Sequence, residues 1–194
     1  GTTGWTPAQD TAAPNDVVPV STFTAFNAAF VDIDAAIIPK GAGAVLAAQP
    51  NNAVSGGNKR GTNAVDLQTQ RITAAAVASG SNSTISGGYQ NRATGTYSQV
   101  SGGSSHLASG NFTSIGGGSS NIASATYAGV AGGSLNTASG LNSFVGNGTL
   151  NVASGDYASI NGGNANAGSG FYSHIGGGLS NVVTSFYGDI GGGG

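Results

Sequence analysis

Two histidines are the chain's main candidates for metal binding or acid–base chemistry. His106 and His174 are far apart in the sequence, and there is no cysteine or glutamate to complete a metal site or a catalytic triad. Copies of either histidine could meet in an oligomer and bind a metal ion. However, His106 stands where other repeats carry asparagine, and His174 stands at a polar, solvent-facing position. We therefore expect no catalytic, metal-binding or cofactor-binding residues and no enzymatic activity.

Glycine-rich runs and scattered aspartates offer no better chemistry. The run 116–118 could suggest a phosphate-binding loop, but such runs recur with a regular period, precede no predicted helix and lack the Lys-Ser/Thr of a P-loop. Calcium-binding β-rolls need an aspartate in every copy of a nine-residue repeat. Asp156 and Asp189 are isolated, and the period is different. The glycines are therefore predicted to form structural corners.

Composition also excludes several classes of partner. The chain has 194 residues, of which 38% are hydrophobic, 6% are charged and 36 are glycine, and its net charge is −2. Without a basic patch, binding to nucleic acid or to an anionic membrane surface is disfavoured. No stretch approaches the 18 consecutive apolar residues typical of a membrane-spanning helix, so membrane insertion is not expected. Such a composition is typical of repeat or fibrous proteins.

The chain changes character along its length, which predicts four segments. Residues 1–20 carry three prolines and should form an extended anchoring tail, and residues 21–38 should form a helix that ends at Pro39. Residues 39–81 are a junction, and residues 82–194 are repeats. The apolar residues of the helix are Phe23, Phe26, Phe30, Ile33 and Ile37, spaced as in a coiled-coil seam. They predict a short bundle of identical chains; an amphipathic helix packed on its own domain is the alternative.

The junction combines short apolar runs with most of the charge pairs. Val45-Leu46, residues 65–68 and Ile72 are candidate short strands between Gly- and Asn-rich turns. The charged residues of this stretch are Lys59, Arg60, Asp66 and Arg71. They could form interchain salt bridges that set the register, or they could be ordinary solvated loop charges.

A 15-residue repeat without insertion or deletion is the strongest signal in the sequence, and eight copies fit, the last one incomplete. The unit is Tyr-Ser-x-Ile-Gly-Gly-Gly-x-x-Asn-x-Ala-Ser-Gly-x, and its positions are numbered here from the tyrosine. The first position is Asn82, Tyr97, Phe112, Tyr127, Asn142, Tyr157, Tyr172 and Tyr187. The tenth position is asparagine except at His106, and the thirteenth is serine or threonine.

A unit of this length is too short for a helical hairpin and predicts one coil of a parallel β-solenoid with two strands and two turns. Glycine supplies the left-handed corners, and asparagine tolerates the same region. At about 4.8 Å per coil, eight coils form a stiff rod roughly 38 Å long. Alternation along a strand predicts that the second and fourth positions face one side and the first and third face the other.

The interior of such a coil contains little apolar material, which predicts oligomerisation. One Ile or Val and one Ala per coil are fewer than a solitary solenoid usually contains, and the helix seam also lacks a partner within the chain. A parallel homotrimer satisfies both needs. Its predicted core consists of Phe23, Phe26, Phe30, Ile33, Ile37, Ile85, Val100, Ile115, Val130, Val145, Ile160, Ile175 and Ile190.

Two resemblances point to surface fibres. The repeats of residues 82–194 resemble the head repeats of trimeric autotransporter adhesins, which implies a trimeric parallel β-roll; they depart from that family at the second position, which is mostly serine here. Residues 56–71 (GGNKRGTNAVDLQTQR), followed by residues 77–80, resemble the junction of bacteriophage tail fibre proteins. That resemblance implies an N-terminal part docked on the virion and a distal part that reaches the host.

The expected protein is therefore an all-β repeat, a trimeric parallel β-roll or solenoid of 15-residue coils with a short N-terminal coiled-coil-like helix. It is expected to be a structural fibre of a phage tail, located in the virion, with a tail or baseplate protein bound through residues 1–40. A host surface glycan or protein is a candidate distal partner. A bacterial trimeric surface adhesin head and an ice-binding β-solenoid are the alternatives. Because the sequence stops within a repeat at Gly194, further repeats and a tip are expected to follow.

Overall fold

The computed structural model describes residues 44–47, 50–54 and 56–194, which form an all-β parallel solenoid. Its repeated part has about eight coils, each one repeat long, and the described residues contain no helix. The predicted tail, the predicted helix and its seam from Phe23 to Ile37 lie outside the described residues. The predicted solenoid of two-stranded coils is confirmed.

The strands are two residues long and stack into two parallel sheets. The first sheet, in spatial order, contains β1 (Val45–Leu46), β2 (Val65–Asp66), β3 (Thr84–Ile85), β5 (Gln99–Val100), β7 (Ser114–Ile115), β9 (Gly129–Val130), β11 (Phe144–Val145), β13 (Ser159–Ile160), β15 (His174–Ile175) and β17 (Asp189–Ile190). The second sheet contains β4 (Arg92–Ala93), β6 (Leu107–Ala108), β8 (Ile122–Ala123), β10 (Thr137–Ala138), β12 (Val152–Ala153), β14 (Ala167–Gly168) and β16 (Val182–Val183). Equivalent residues of successive coils pair in register, as in Val100↔Ile115.

The solenoid begins before the repeats do. In the first sheet, Val45 pairs with Val65, and Val65 pairs with Thr84, so the two junction strands lie directly beneath the first repeat. These partners are farther apart in the sequence than the equivalent residues of successive repeats, so the junction forms larger, irregular coils of the same stack. Both of these predicted strands are confirmed, whereas Ile72 is exposed and lies outside any strand.

Alternate positions point inward, and one chain fills the interior by itself. From Ile85 to Ile175 the fourth-position side chains are at most 1% exposed, and Ile190 in the last coil is partly buried. The second position is also buried, as in Ser98 and Ala158, which confirms the predicted faces. Other copies are therefore not needed to complete this interior, because a typical coil closes around one Ile or Val, one small second-position residue, one asparagine and one alanine. The oligomeric state remains a prediction.

The coils approach so closely that the fourteenth position has almost no room for a side chain. A Cβ atom on Gly95, Gly140 or Gly155 would overlap the backbone carbonyl of the equivalent residue in the next coil. By contrast, a Cβ on Gly102 or Gly117 would meet nothing within 4 Å. The repeated glycines therefore have different roles, and the fourteenth position fixes the spacing between coils.

Left-handed backbone occurs at three positions of the coil, two of which usually lack glycine. The seventh-position glycines from Gly88 to Gly178 have φ between +85° and +99°, and Gly193 in the incomplete last coil has a φ of 136°. The first position is also left-handed, with φ of 57° at Tyr97 and 60° at Tyr127, and so is the ninth, with φ of 57° at Leu135. The tenth-position asparagines, which could have taken this conformation, are not among the left-handed residues. Bulky residues adopt this costly conformation because it recurs in every coil and neighbouring coils support it.

Substitution of two glycines in different positions of the unit should separate these roles. We expect Gly140→Ala to destabilise the fold by about 1–3 kcal/mol, because the added methyl group forces the coils apart. Some relaxation is available, since Ala125 occupies the same position one coil earlier. The control, Gly117→Ala, should leave the midpoint of chemical denaturation nearly unchanged. Equal shifts for the two variants would show that coil spacing does not depend on the fourteenth position.

Candidate interaction surfaces

The tenth-position asparagines form a buried polar ladder through the solenoid. Asn121 is fully buried; its amide Nδ2 donates to the carbonyl of Gly117 in its own coil at 2.9 Å and to that of Gly133 in the next coil at 3.0 Å. Its Oδ1 accepts the backbone N–H of Asn136 at 2.9 Å. The same set of hydrogen bonds recurs from coil to coil, so each buried amide is satisfied and also connects two coils.

His106 continues this ladder, as expected from the sequence. It is 1% exposed, its Nε2 lies 3.1 Å from the carbonyl of Gly118, and its Nδ1 accepts the N–H of Asn121 at 3.1 Å. Only the neutral ring with its proton on Nε2 fits both partners. Burial lowers the pKa of His106, and its hydrogen bond to the Gly118 carbonyl offsets part of that shift.

His174 lies apart from His106, on the outside of the first sheet in strand β15, next to the last described strand of that sheet. Its side chain is 43% exposed, and its Nδ1 lies 2.8 Å from Oδ1 of Asp189 in the next coil. Within the part of the chain that the structure describes, no three His, Cys, Asp or Glu side chains cluster to hold a metal ion. The structure therefore does not bring the two histidines into one site.

The first-position aromatic rings form an exposed stack along one corner of the rod. Tyr97 stacks on Phe112 with ring centroids 5.1 Å apart, and Phe112 stacks on Tyr127 at the same distance. A second stack joins Tyr157 to Tyr172 at 4.5 Å and Tyr172 to Tyr187 at 5.5 Å. We call these two stacks the aromatic ladder. The rings remain roughly half exposed, so their edges face solvent.

The aromatic ladder is interrupted at one coil, where Asn142 replaces the ring. Among the described residues, no ring pair crosses this coil. The aromatic side chain of the coil is Phe144, which lies on the neighbouring third-position track and packs over Gly129; its Cδ2 would be 3.2 Å from a Cβ atom built there. The first stack therefore ends at Tyr127 and the second begins at Tyr157, with Asn142 at the first position between them.

The outer face of the second sheet is aliphatic and nearly uncharged. Its eleventh-position side chains point outward, opposite the buried alanines; most are half-buried, and Arg92 and Val182 are exposed. They are Arg92, Leu107, Ile122, Thr137, Val152, Ala167 and Val182. Beside them, Leu135 and Leu150 at the ninth position are each 50% exposed. We call the segment of this face from Leu107 to Val182 the aliphatic face; together with the aromatic ladder, it is a regular apolar feature on the outside of the described coils.

Three of the four junction charges lie inside the chain, which corrects both interpretations for these three. Arg60 Nε donates to Asp66 Oδ2 at 2.7 Å, and both side chains are at most 1% exposed. Arg71 is 5% exposed and donates to the carbonyl of Gln68 at 2.8 Å. The Arg60–Asp66 pair is therefore neither an interchain bridge nor a pair of solvated loop charges, whereas Lys59 is exposed.

Gln68 is a member of the polar ladder that the sequence did not reveal. Its Oε1 accepts the backbone N–H of Asn91 at 2.9 Å, the contact that an asparagine makes in later coils. Its Nε2 donates to the carbonyls of Ala76 and Asn91. Because the junction coils are longer than the regular repeat, spacing alone could not place Gln68 beneath Asn91; only the alternation of apolar and polar residues in residues 65–68 was a signal.

Comparisons with known proteins do not assign the chain to a family. No protein-family model matches it, and no curated protein matches it significantly. Within the described ranges, no helix has the length and apolar character needed to cross a bilayer.

His106→Asn should remove a pH dependence of stability. The folded protein holds His106 neutral with a lowered pKa, whereas the unfolded chain binds a proton at its ordinary pKa of about 6.5. The wild-type protein should therefore be most stable above this pH and should lose up to about 1.4 kcal/mol per pH unit below it, until the folded-state pKa is reached. The variant restores an asparagine and should lack this loss in denaturant titrations across the range.

His174→Asn is the matched control, because its imidazole is exposed and does not belong to the ladder. This variant should retain the loss of stability on acidification. A His106→Asn protein with the wild-type pH profile would contradict the buried neutral ring.

Proposed function

We propose that the chain is a structural fibre protein of a bacteriophage tail, anchored to the virion through residues 1–40 and projecting toward the host surface. The observation that carries this proposal is the first sheet, which continues without interruption from β1 to β17 across the junction and the repeats. A rod whose coils are all paired in register transmits force along its axis and keeps its ends apart. This suits a connector between a particle and a distant surface.

The junction adds support, because its most distinctive residues share one structural role. Arg60, Asp66, Gln68 and Arg71 belong to the stretch that resembles tail fibre junctions, and all four are buried. Together they hold the irregular first coils against the first repeat, through contacts such as Gln68 to Asn91. The stretch therefore acts as the start of the solenoid, which is the role that a fibre junction needs.

The aliphatic face supports assembly into a homotrimer. The fourth-position residues are already buried within one chain, so interchain contacts need another surface. Leu107, Ile122 and Val152 project from the second sheet, whose repeated part is free of charge beyond Arg92. Three such faces around a common axis would bury apolar area along the rod, and the predicted seam of residues 23–37 would begin the same axis at its proximal end.

The mass of the purified native protein, measured by light scattering, should therefore be three times the mass of a single chain. The double variant Ile122→Lys/Val152→Lys places six positive charges near the axis, and it should lower the temperature at which the trimer dissociates. Ser114→Lys, on the outer face of the first sheet, is the control and should have little effect. A stable folded monomer at micromolar concentration would contradict the trimer.

Deletion of residues 1–20 tests the anchoring role. The shortened chain should remain a soluble trimer but should no longer be incorporated into the particle, because the predicted tail makes the contact with the virion. Incorporation is measured by the presence of the chain in purified particles. Normal incorporation of the shortened chain would show that anchoring lies elsewhere.

One observation favours an ice-binding role as a second candidate. The thirteenth-position hydroxyls are exposed from Ser124 to Thr184 and recur at about 4.8 Å per coil, forming a regular polar array. The asparagine ladder cannot contribute to such a surface, because it is buried. Thermal hysteresis in the purified protein would favour this candidate over the fibre.

A further inference from the structure

The break in the aromatic ladder has the dimensions of one flat ring. Tyr127 and Tyr157 lie two coils apart, which places their rings about 10 Å apart at about 4.8 Å per coil. Neighbouring rings elsewhere in the ladder stack at 4.5–5.5 Å. A single ring inserted between Tyr127 and Tyr157 would therefore meet both faces at the spacing that the ladder already uses.

Polar groups lie at the base and at one side of this slot. Asn142 is exposed, and its side-chain amide makes no hydrogen bond within the described part of the chain. Asp156 directly precedes Tyr157; its Oδ1 accepts the N–H of Leu141 at 2.9 Å, and the exposed carboxylate has a second oxygen free. Phe144 borders the other side, on the third-position track. The slot therefore combines two apolar walls with a donor, an acceptor and a carboxylate.

We propose that this slot binds one neutral pyranose unit of a surface polysaccharide or glycoconjugate. The C–H faces of a sugar ring pack on aromatic faces, while its hydroxyl groups at the rim require the mixture of donor and acceptor groups that Asn142 and Asp156 present. An aromatic ligand would stack equally well but would leave both polar groups without partners. The proposal deepens the attachment function proposed above and rests on it for its biological meaning.

The charges around the slot determine the class of sugar. Asp156 is the charged residue beside it, and the cation of the repeats, Arg92, lies in the first repeat, on the outer face of the second sheet. An acidic sugar would bring its carboxylate near Asp156 without a compensating cation. The slot therefore discriminates against acidic pyranoses and accepts neutral ones.

The test uses the full chain and a set of simple probes: the methyl glycosides of glucose, galactose, mannose and N-acetylglucosamine, with methyl glucuronide as the acidic probe. Saturation-transfer NMR and tyrosine chemical-shift changes should show saturable, millimolar binding of at least one neutral probe and none of the glucuronide. Absence of binding by every neutral probe up to tens of millimolar would overturn the proposal.

Asn142→Tyr is the decisive variant. It completes the aromatic ladder with the residue that other coils carry at this position, so the fold should be retained while probe binding falls at least tenfold. Tyr157→Ala removes one wall and should have the same effect, which keeps the test valid if Asn142→Tyr fails to fold. Tyr97→Ala, at the end of the first stack, is the control and should bind as wild type. Binding that survives Asn142→Tyr or Tyr157→Ala would place the sugar elsewhere and overturn the slot.

The slot and the fibre can fail separately. If a trimer is incorporated into particles but binds no probe, the slot is wrong and the fibre remains. If the probes bind a chain that is monomeric or absent from particles, the slot remains and the fibre is wrong.

Discussion

The stacking of each coil directly on its own copy is the constraint on which the structure depends. A residue is acceptable only if its side chain tolerates an equivalent one about 4.8 Å above and below. Like charges at that distance repel each other; for two unit charges 4 Å apart in water, the repulsion is about 1 kcal/mol. The repeats accordingly carry only Arg92, Asp156 and Asp189, each at a different position of the unit. Serine, threonine and glycine can be repeated in successive coils without a cost in stability, and stacked aromatic rings stabilise the fold.

The same constraint allows a polar group to serve as core. An asparagine that is repeated in register meets the same carbonyls and the same N–H in every coil, so one solution to its hydrogen bonding holds for the whole ladder. A buried amide with several partners both fills volume and joins the coils, which reduces the apolar material that each coil needs. His106 can substitute because an imidazole presents a donor and an acceptor with similar spacing. This explains how a chain that is 38% hydrophobic closes a solenoid without help from a second copy.

The 15-residue period made much of the fold predictable. Features that depend on contacts between coils, or on the irregular junction, could not be predicted from it. Two strands per coil, inward second and fourth positions and glycine corners follow from alternation and spacing, which are local properties. The left-handed conformation of Tyr97 and Leu135 does not follow, because intrinsic preference opposes it and only the stacked neighbours impose it. The burial of Asn121 was missed for the same reason, since polarity alone favoured a turn. The place of Gln68 in the polar ladder and the burial of the Arg60–Asp66 pair could not be predicted, because the junction coils have irregular lengths.

A periodic rod can carry a specific site only where the period is broken. Any group that recurs in every coil is presented many times in the same way, which suits stiffness and a long interface but cannot distinguish one point of the rod from another. At the coil of Asn142 the ring is missing, its replacement Phe144 stands on the next track, and the next coil opens beside Asp156. These changes cost little, because Asn142 tolerates the left-handed backbone and Gly129 makes room for Phe144. Three departures in one place are therefore compatible with the stack, and they leave the gap between the two stacks of the aromatic ladder in which we propose that a sugar ring binds.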